Sequence, residues 1–205
     1  QSSLGLGWRN EYWSIQAEAY YKDMDRVLTF LSGADALSTV GAEDASGWED
    51  RVLEGTGSAK GIEFLLARQK GNTTGSVAYT LSSATRHFPD LNSGQPFPFR
   101  FDRRHDVKIS VRQRLGSWLH AEAFWAFSTG NPITLSGVKF QHLSPEGEVS
   151  REVFAYTEVN GYRLPAYHRL DLSLNAQWSS GKRLQHGLQL GVFNLYNRAN
   201  PFFIY

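Results

Sequence analysis

The chain has no cysteine and a single methionine in 205 residues. Without cysteine, neither a disulfide framework nor a thiolate zinc site can form. No apolar run approaches the roughly 20 residues that a membrane-crossing helix needs. That excludes a helical membrane protein, but not one that crosses with strands apolar on one side only. Charge of one sign is also lacking: 21 Lys and Arg stand against 20 Asp and Glu. No cluster of cations forms a nucleic-acid footprint, so no nucleic-acid partner is expected.

Aromatic residues are plentiful, with six Trp, nine Tyr and thirteen Phe, and they sit in a pattern of period two. In Arg169 to Trp178, Leu170, Leu172, Leu174, Ala176 and Trp178 alternate with Arg169, Asp171, Ser173, Asn175 and Gln177. Successive side chains of a strand point to opposite faces, so this segment is a strand with one apolar and one polar face. The same pattern predicts strands over 2–9, 12–24, 58–70, 76–84, 106–115, 118–127 and 184–194. Between them the links alternate short and long. Turns near residues 10, 72, 116 and 181 are tight, whereas 25–57, 87–103 and 129–166 are long connections, the last with strand-like tips at 133–140 and 151–156.

Strands of about 9–11 residues cross a bilayer at roughly 45° tilt, and most of these stretches approach or exceed that length. Backbone groups in lipid must all be paired, which for strands means a closed barrel with short turns at one end and long loops at the other. The expected fold is therefore all-β, an antiparallel up-and-down transmembrane β-barrel. The apolar sides, including Ile109, Leu170, Leu172, Leu174 and Leu190, are expected to face lipid. The charged residues of the other side, Glu18, Glu63, Lys108, Arg112, Glu122, Arg169 and Asp171, are expected to line a wet lumen. Trp8, Trp13, Trp118 and Trp178 lie near short turns and read as an aromatic girdle at the periplasmic boundary.

Catalytic signals are weak. Gly55 to Gly61 (GTGSAKG) lacks the spacing of either nucleotide fingerprint and leads into a strand instead of opening a helix. His105, His120, His168 and His186 fall on or beside different strands without metal-ligand spacing. His168 and Asp171, three apart on a strand, face opposite sides, and Asp102 and His105 do likewise unless the chain bends there. No nucleophile–base pair emerges, so neither an enzyme, a metal site nor a cofactor is expected.

Several strings in order resemble one family: GWEDRVLEGTGSAKGIEFLL (47–66), TTGSVAYTLSSATRHF (73–88), FPFRFDRRHDVKISV (97–111), STGNPITL (128–135), RLPAYHRLDLSLNAQW (163–178) and GVFNLYNRANPFFIY (191–205). Together they are similar to the TonB-dependent outer-membrane receptors of Bacteroidetes-like bacteria. The resemblance implies a 22-stranded barrel around a plug, of which residues 1–205 would be a C-terminal portion of about 8–10 strands, without plug domain or last strand. It implies uptake across the bacterial outer membrane of a scarce nutrient, such as an iron–siderophore, a cobalamin or a glycan. Its partners would be membrane lipid, the transported small molecule and, through the missing N-terminal part, the inner-membrane TonB energy-coupling complex. Substrate contact would fall on the external segments, where Trp48, Phe97, Phe99, Phe154, Tyr156 and Tyr162 are candidates for stacking on a sugar or catecholate or for anchoring the upper rim. Two other readings remain open at this point: a complete eight-stranded barrel with a structural or adhesive role, and a soluble carbohydrate-binding β-sandwich.

Overall fold

The structure, a computed structural model, describes residues 1–30, 52–143, 149–156, 158–181 and 183–201, with the backbone alone at 30, 136–143 and 149–156. Its strands are β1 (Ser2–Arg9), β2 (Trp13–Phe30), β3 (Val52–Arg68), β4 (Thr73–His87), β5 (Phe97–Pro98), β6 (His105–Arg114), β7 (Leu119–Ser128), β8 (Pro132–Ile133), β9 (Ser136–Leu143), β10 (Val149–Tyr156), β11 (Tyr162–Arg163), β12 (Tyr167–Ser180) and β13 (Leu184–Val192). Eight long strands form one antiparallel sheet in the order β1-β2-β3-β4-β6-β7-β12-β13, and β5 extends the β6 side of β4. Sequential strands are spatial neighbours, so all short turns fall at one end and the connections 31–51, 88–104 and 129–166 at the other, the loop end. Within the last of these, β9 pairs with β10 and β8 with β11.

Directly opposed residues of adjacent strands share a face, and the register sorts the chain into two surfaces. The row Trp8, Ile15, Leu66, Val77, Ile109, Trp125 and Leu170 crosses seven strands without a polar side chain. One residue along, on the other face, runs Gly7, Gln16, Leu65, Ala78, Lys108, Ala126 and Arg169. A one-residue slip anywhere would exchange the two surfaces, so the alternation itself holds the register.

No described element covers the apolar face. Leu6 is 76% and Leu190 62% exposed, and the buried apolar cluster among the described residues, Phe88, Leu91 and Phe97, lies among the loops. This is a wall one sheet thick, not half of a sandwich. Its edges, β1 and β13, are not paired with each other, so these eight strands do not close on themselves.

Several strands run further toward the loop end than alternation predicts. β2 continues to Phe30 through a bulge between Met24 and Val27, where Arg26 adopts a φ of 53°, and β3 begins at Val52, not near Ser58. The expected connection 25–57 is thus 31–51, and the glycine-rich stretch 55–61 is strand. β4 reaches His87, and the expected link 87–103 pairs with it at Phe97 and Pro98 of β5. On β3 the outward apolar stretch Ile62, Phe64 and Leu66 is bracketed by outward Lys60 and Arg68. These are eight steps apart, or about 26 Å along the strand. The strands therefore outrun their own apolar band, and alternation fades where they do.

After β13 the chain folds back on β12. The Asn200 side-chain amide accepts the His168 N–H and donates to the His168 carbonyl, each at 3.0 Å. It takes the place of the peptide that β13 would supply had it continued.

Gly75 of β4 lies so close to β6 that a Cβ there would stand 2.1 Å from the Ser110 carbonyl oxygen. Gly75→Ala is expected to destabilise the sheet by about 1–3 kcal/mol, the range of overpacked interiors. The urea unfolding midpoint of the protein in detergent micelles measures it.

Candidate functional site

All seven charged residues picked out by alternation share the polar face. Arg112 and Glu122 are directly opposed, with Arg112 Nε donating to Glu122 Oε1 at 2.7 Å. Ser173 Oγ also donates to that carboxylate, at 3.4 Å. Arg169 pairs with Asp171 at 2.9 Å, and Lys108 with Asp106 at 3.1 Å. Glu18 and Glu63 differ from these. They are direct cross-strand partners of like charge, an arrangement that is destabilising by itself, and neither has a cation within ion-pair distance among the described residues. A depression of about 780 Å³ opens on this face beside Arg112, Glu122, Asp171 and Gln189. Apolar Leu65 and Phe124 interrupt the same polar face.

The histidines singled out by sequence, His105, His120, His168 and His186, serve separate local contacts. His105 Nδ1 meets the Tyr79 hydroxyl at 2.9 Å, His168 Nδ1 meets that of Tyr196 at 2.8 Å, His120 lies 3.7 Å from Glu122, and His186 stacks on Trp178. No group of three or more His, Asp or Glu able to hold a metal exists among the described residues.

At the loop end, two connections lock together over the polar face. Three glycines of β3 make the seat. A Cβ at Gly55 would meet the Phe88 ring at 2.5 Å, one at Gly57 the Arg86 guanidinium at 2.4 Å, and one at Gly61 the Tyr20 hydroxyl at 2.7 Å. Each glycine thus leaves room for a large neighbouring side chain. Phe88 turns in, joined by Leu91 and Phe97, with Val27, Leu53 and Val159 packed around them.

Asp102, 3% exposed, is the keystone. Its Oδ1 accepts the Ala84 N–H at 2.7 Å, and its Oδ2 pairs with Arg163 Nη2. Arg163 Nη1 donates in addition to the carbonyls of Asp102 at 2.7 Å and Gly130 at 3.1 Å. Asn160 Nδ2 donates to the Pro98 carbonyl at 2.8 Å, which ties 158–166 to 88–104 a second time. Alternation cannot reveal this latch, because Asp102 and Arg163 are 61 residues apart. The one local sign is an acidic residue within the otherwise basic RFDRR.

The aromatic candidates part company here. Phe97 is buried in the loop cluster, which withdraws it from ligand contact. Phe99 lies under Arg86, Tyr162 is exposed on β11, and Phe154 and Tyr156 stand on β10; Trp48 lies outside the described residues. Phe101, not among the candidates, is 60% exposed. At the opposite end, Trp8, Trp13, Trp118 and Trp178 all flank short turns. Arg68 lies 5.6 Å over the Trp13 ring, and Trp8 and Trp118 are half exposed.

The family described as TonB dependent receptor-like, beta-barrel matches residues 1–195. The chain belongs to this family, whose members are transport receptors of the bacterial outer membrane. The eight-stranded up-and-down sheet is accordingly a part of such a barrel wall. No curated protein and no solved structure matches the chain.

Asp102→Ala would leave the Arg163 cation and the Ala84 N–H without their partner. Breaking one side of a buried pair is expected to cost about 3 kcal/mol. Urea unfolding of the variant measures the loss, and earlier proteolytic cleavage within 88–104 locates it.

Proposed function

We propose that this chain forms wall and mouth of a TonB-dependent transporter that takes a scarce small molecule, such as an iron–siderophore, a cobalamin or a glycan, across the outer membrane. The observation that carries the reading is the pair of opposed faces, one with an apolar band across eight strands that no described element covers, the other bearing the charged residues. In this reading the apolar face, with Ile109, Leu170, Leu172, Leu174 and Leu190, meets acyl chains, and the four Trp near the short turns sit at the periplasmic boundary, where indoles settle. The polar face meets the lumen. Its unpaired Glu18 and Glu63, and the apolar Leu65 and Phe124 among polar neighbours, suit a wall that packs against a plug as well as water. Energy would come from the inner-membrane TonB complex acting on that plug, and the protein itself makes and breaks no covalent bond.

The two other readings find less support. A complete eight-stranded barrel needs β1 and β13 to pair, and they do not. A soluble sandwich needs a second layer over the leucines, and none of the described elements supplies it.

Leu172 stands between Ala123 and Val192 near the middle of the apolar face. Leu172→Arg is expected to destabilise the full-length protein folded in lipid vesicles by about 2–4 kcal/mol, the range for a cation on the lipid side at the midplane. Ser173→Arg, one residue along on the polar face, should cost far less. Equal stability of wild type and Leu172→Arg would overturn the assignment of faces.

A further inference from the structure

The run from Phe97 to His105 is a single strand broken in its middle. Pro98 and Phe97 pair with Thr85 and Arg86 of β4, the Phe99 N–H donates to the Ala84 carbonyl at 2.9 Å, and pairing resumes with His105 opposite Leu81. Between these points residues 99–102 make a tight turn, the Asp102 N–H donating to the Phe99 carbonyl at 2.7 Å. The Asp102 carboxylate satisfies the Ala84 N–H that the missing ladder bond would have served. The break leaves Arg100 and Phe101 exposed at the tip of this turn.

The tip and its backing are built of guanidinium groups and aromatic rings. The Arg100 guanidinium lies 4.6 Å over the Phe101 ring, Phe101 meets Phe99 edge to face at 5.3 Å and 81°, and Arg86 covers Phe99 at 4.2 Å. Two rings in contact are thus capped by a cation on either side. The two local carboxylates are already engaged, Asp102 by Arg163 and Asp106 by Lys108 and Arg103. No carboxylate among the described residues lies within ion-pair distance of Arg86, Arg100 or Arg104. Arg86 Nε is buried without an acceptor, and Nη1 has only the neighbouring Thr85 carbonyl, at 3.1 Å. A guanidinium over a ring has donors left for an anion, and an exposed ring beside it offers a stacking face.

We propose that the Arg100–Phe101 tip, backed by Phe99 and Arg86, is a recognition site for a small anionic ligand that carries a ring, such as an acidic sugar or an aromatic chelate. The proposal rests on the transporter reading and names the chemistry that its mouth selects.

The test uses the full-length protein in detergent, titrated calorimetrically with an oligogalacturonate, with a ferric tris(catecholate) complex and with a neutral oligosaccharide of equal length. The expected result is binding of at least one anionic probe, weakened by salt, and none of the neutral one. Arg100→Gln should weaken that binding about tenfold, as for loss of a hydrogen bond between charged groups. Phe101→Ala should weaken it as well. Because Arg100 and Phe101 are exposed, neither variant is expected to disturb folding, which the heat-dependent electrophoretic mobility of the barrel checks. Tight binding of the neutral probe, absence of binding by both anions, or affinities unchanged in both variants would overturn the site. Fractionation of cells expressing the same variants separates the two claims. A protein in the outer membrane that ignores anions refutes this site alone, whereas one absent from that membrane refutes the transporter reading and the site with it.

Discussion

The structure depends on its inter-strand hydrogen-bond ladder. A sheet one layer thick has no opposing layer to exclude water or hold strands in place, so each strand is fixed by its two neighbours. In hydrocarbon the requirement becomes absolute, since an unpaired peptide group finds no solvent. The long antiparallel pairings from β1 to β13 meet it with unbroken register over most of their length. The two faces follow: once the ladder sets the register, period two sends every second side chain to the same medium. Burial in a packed core plays a small part, confined to the few loop residues around Phe88.

Where the ladder is interrupted, side chains with peptide-like or carboxylate oxygens step in. The Asp102 carboxylate serves Ala84, the Asn200 amide serves His168, and Asp171 Oδ1 accepts the Asn194 N–H at 2.9 Å. All three substitutions occur toward the loop end. There the chain must leave the regular sheet while keeping its polar groups satisfied, and a short acidic or amide side chain does this without a further strand. The departures from regularity therefore coincide with the places where the connections are held.

The sequence showed the faces plainly and the loop end poorly, for a physical reason. Alternation records a contrast between two media, so it is sharp at Leu170 to Trp178, where the two sides differ. It blurs at Val27 to Phe30 and at Val52 to Gly61, where the strands outrun the apolar band and both sides are mixed. Gly55, Gly57 and Gly61 read as loop because glycine carries no side chain to alternate, although Gly57 and Gly61 pair with strands on both sides and Gly55 with β2. Phe97 looked like a ligand contact since an aromatic in a long link has no visible partner in sequence; Phe88 and Leu91 are its partners. Asp102 and Arg163 were invisible as a pair because only the folded loops bring them together. Phe101 was legible as exposed only once the break in the strand was known.

The bare positions of β3 have a further meaning for how such a mouth can diversify. Phe88 and the Arg86 guanidinium rest on Gly55 and Gly57, so the placement of the second connection is encoded in the strand beneath it and not at its own tip. Anchor and tip are thereby separate: residues 100 and 101 can be exchanged for others while the loop stays where the missing methyls put it. A scaffold of this kind can alter what it greets at the surface without renegotiating how it stands in the membrane.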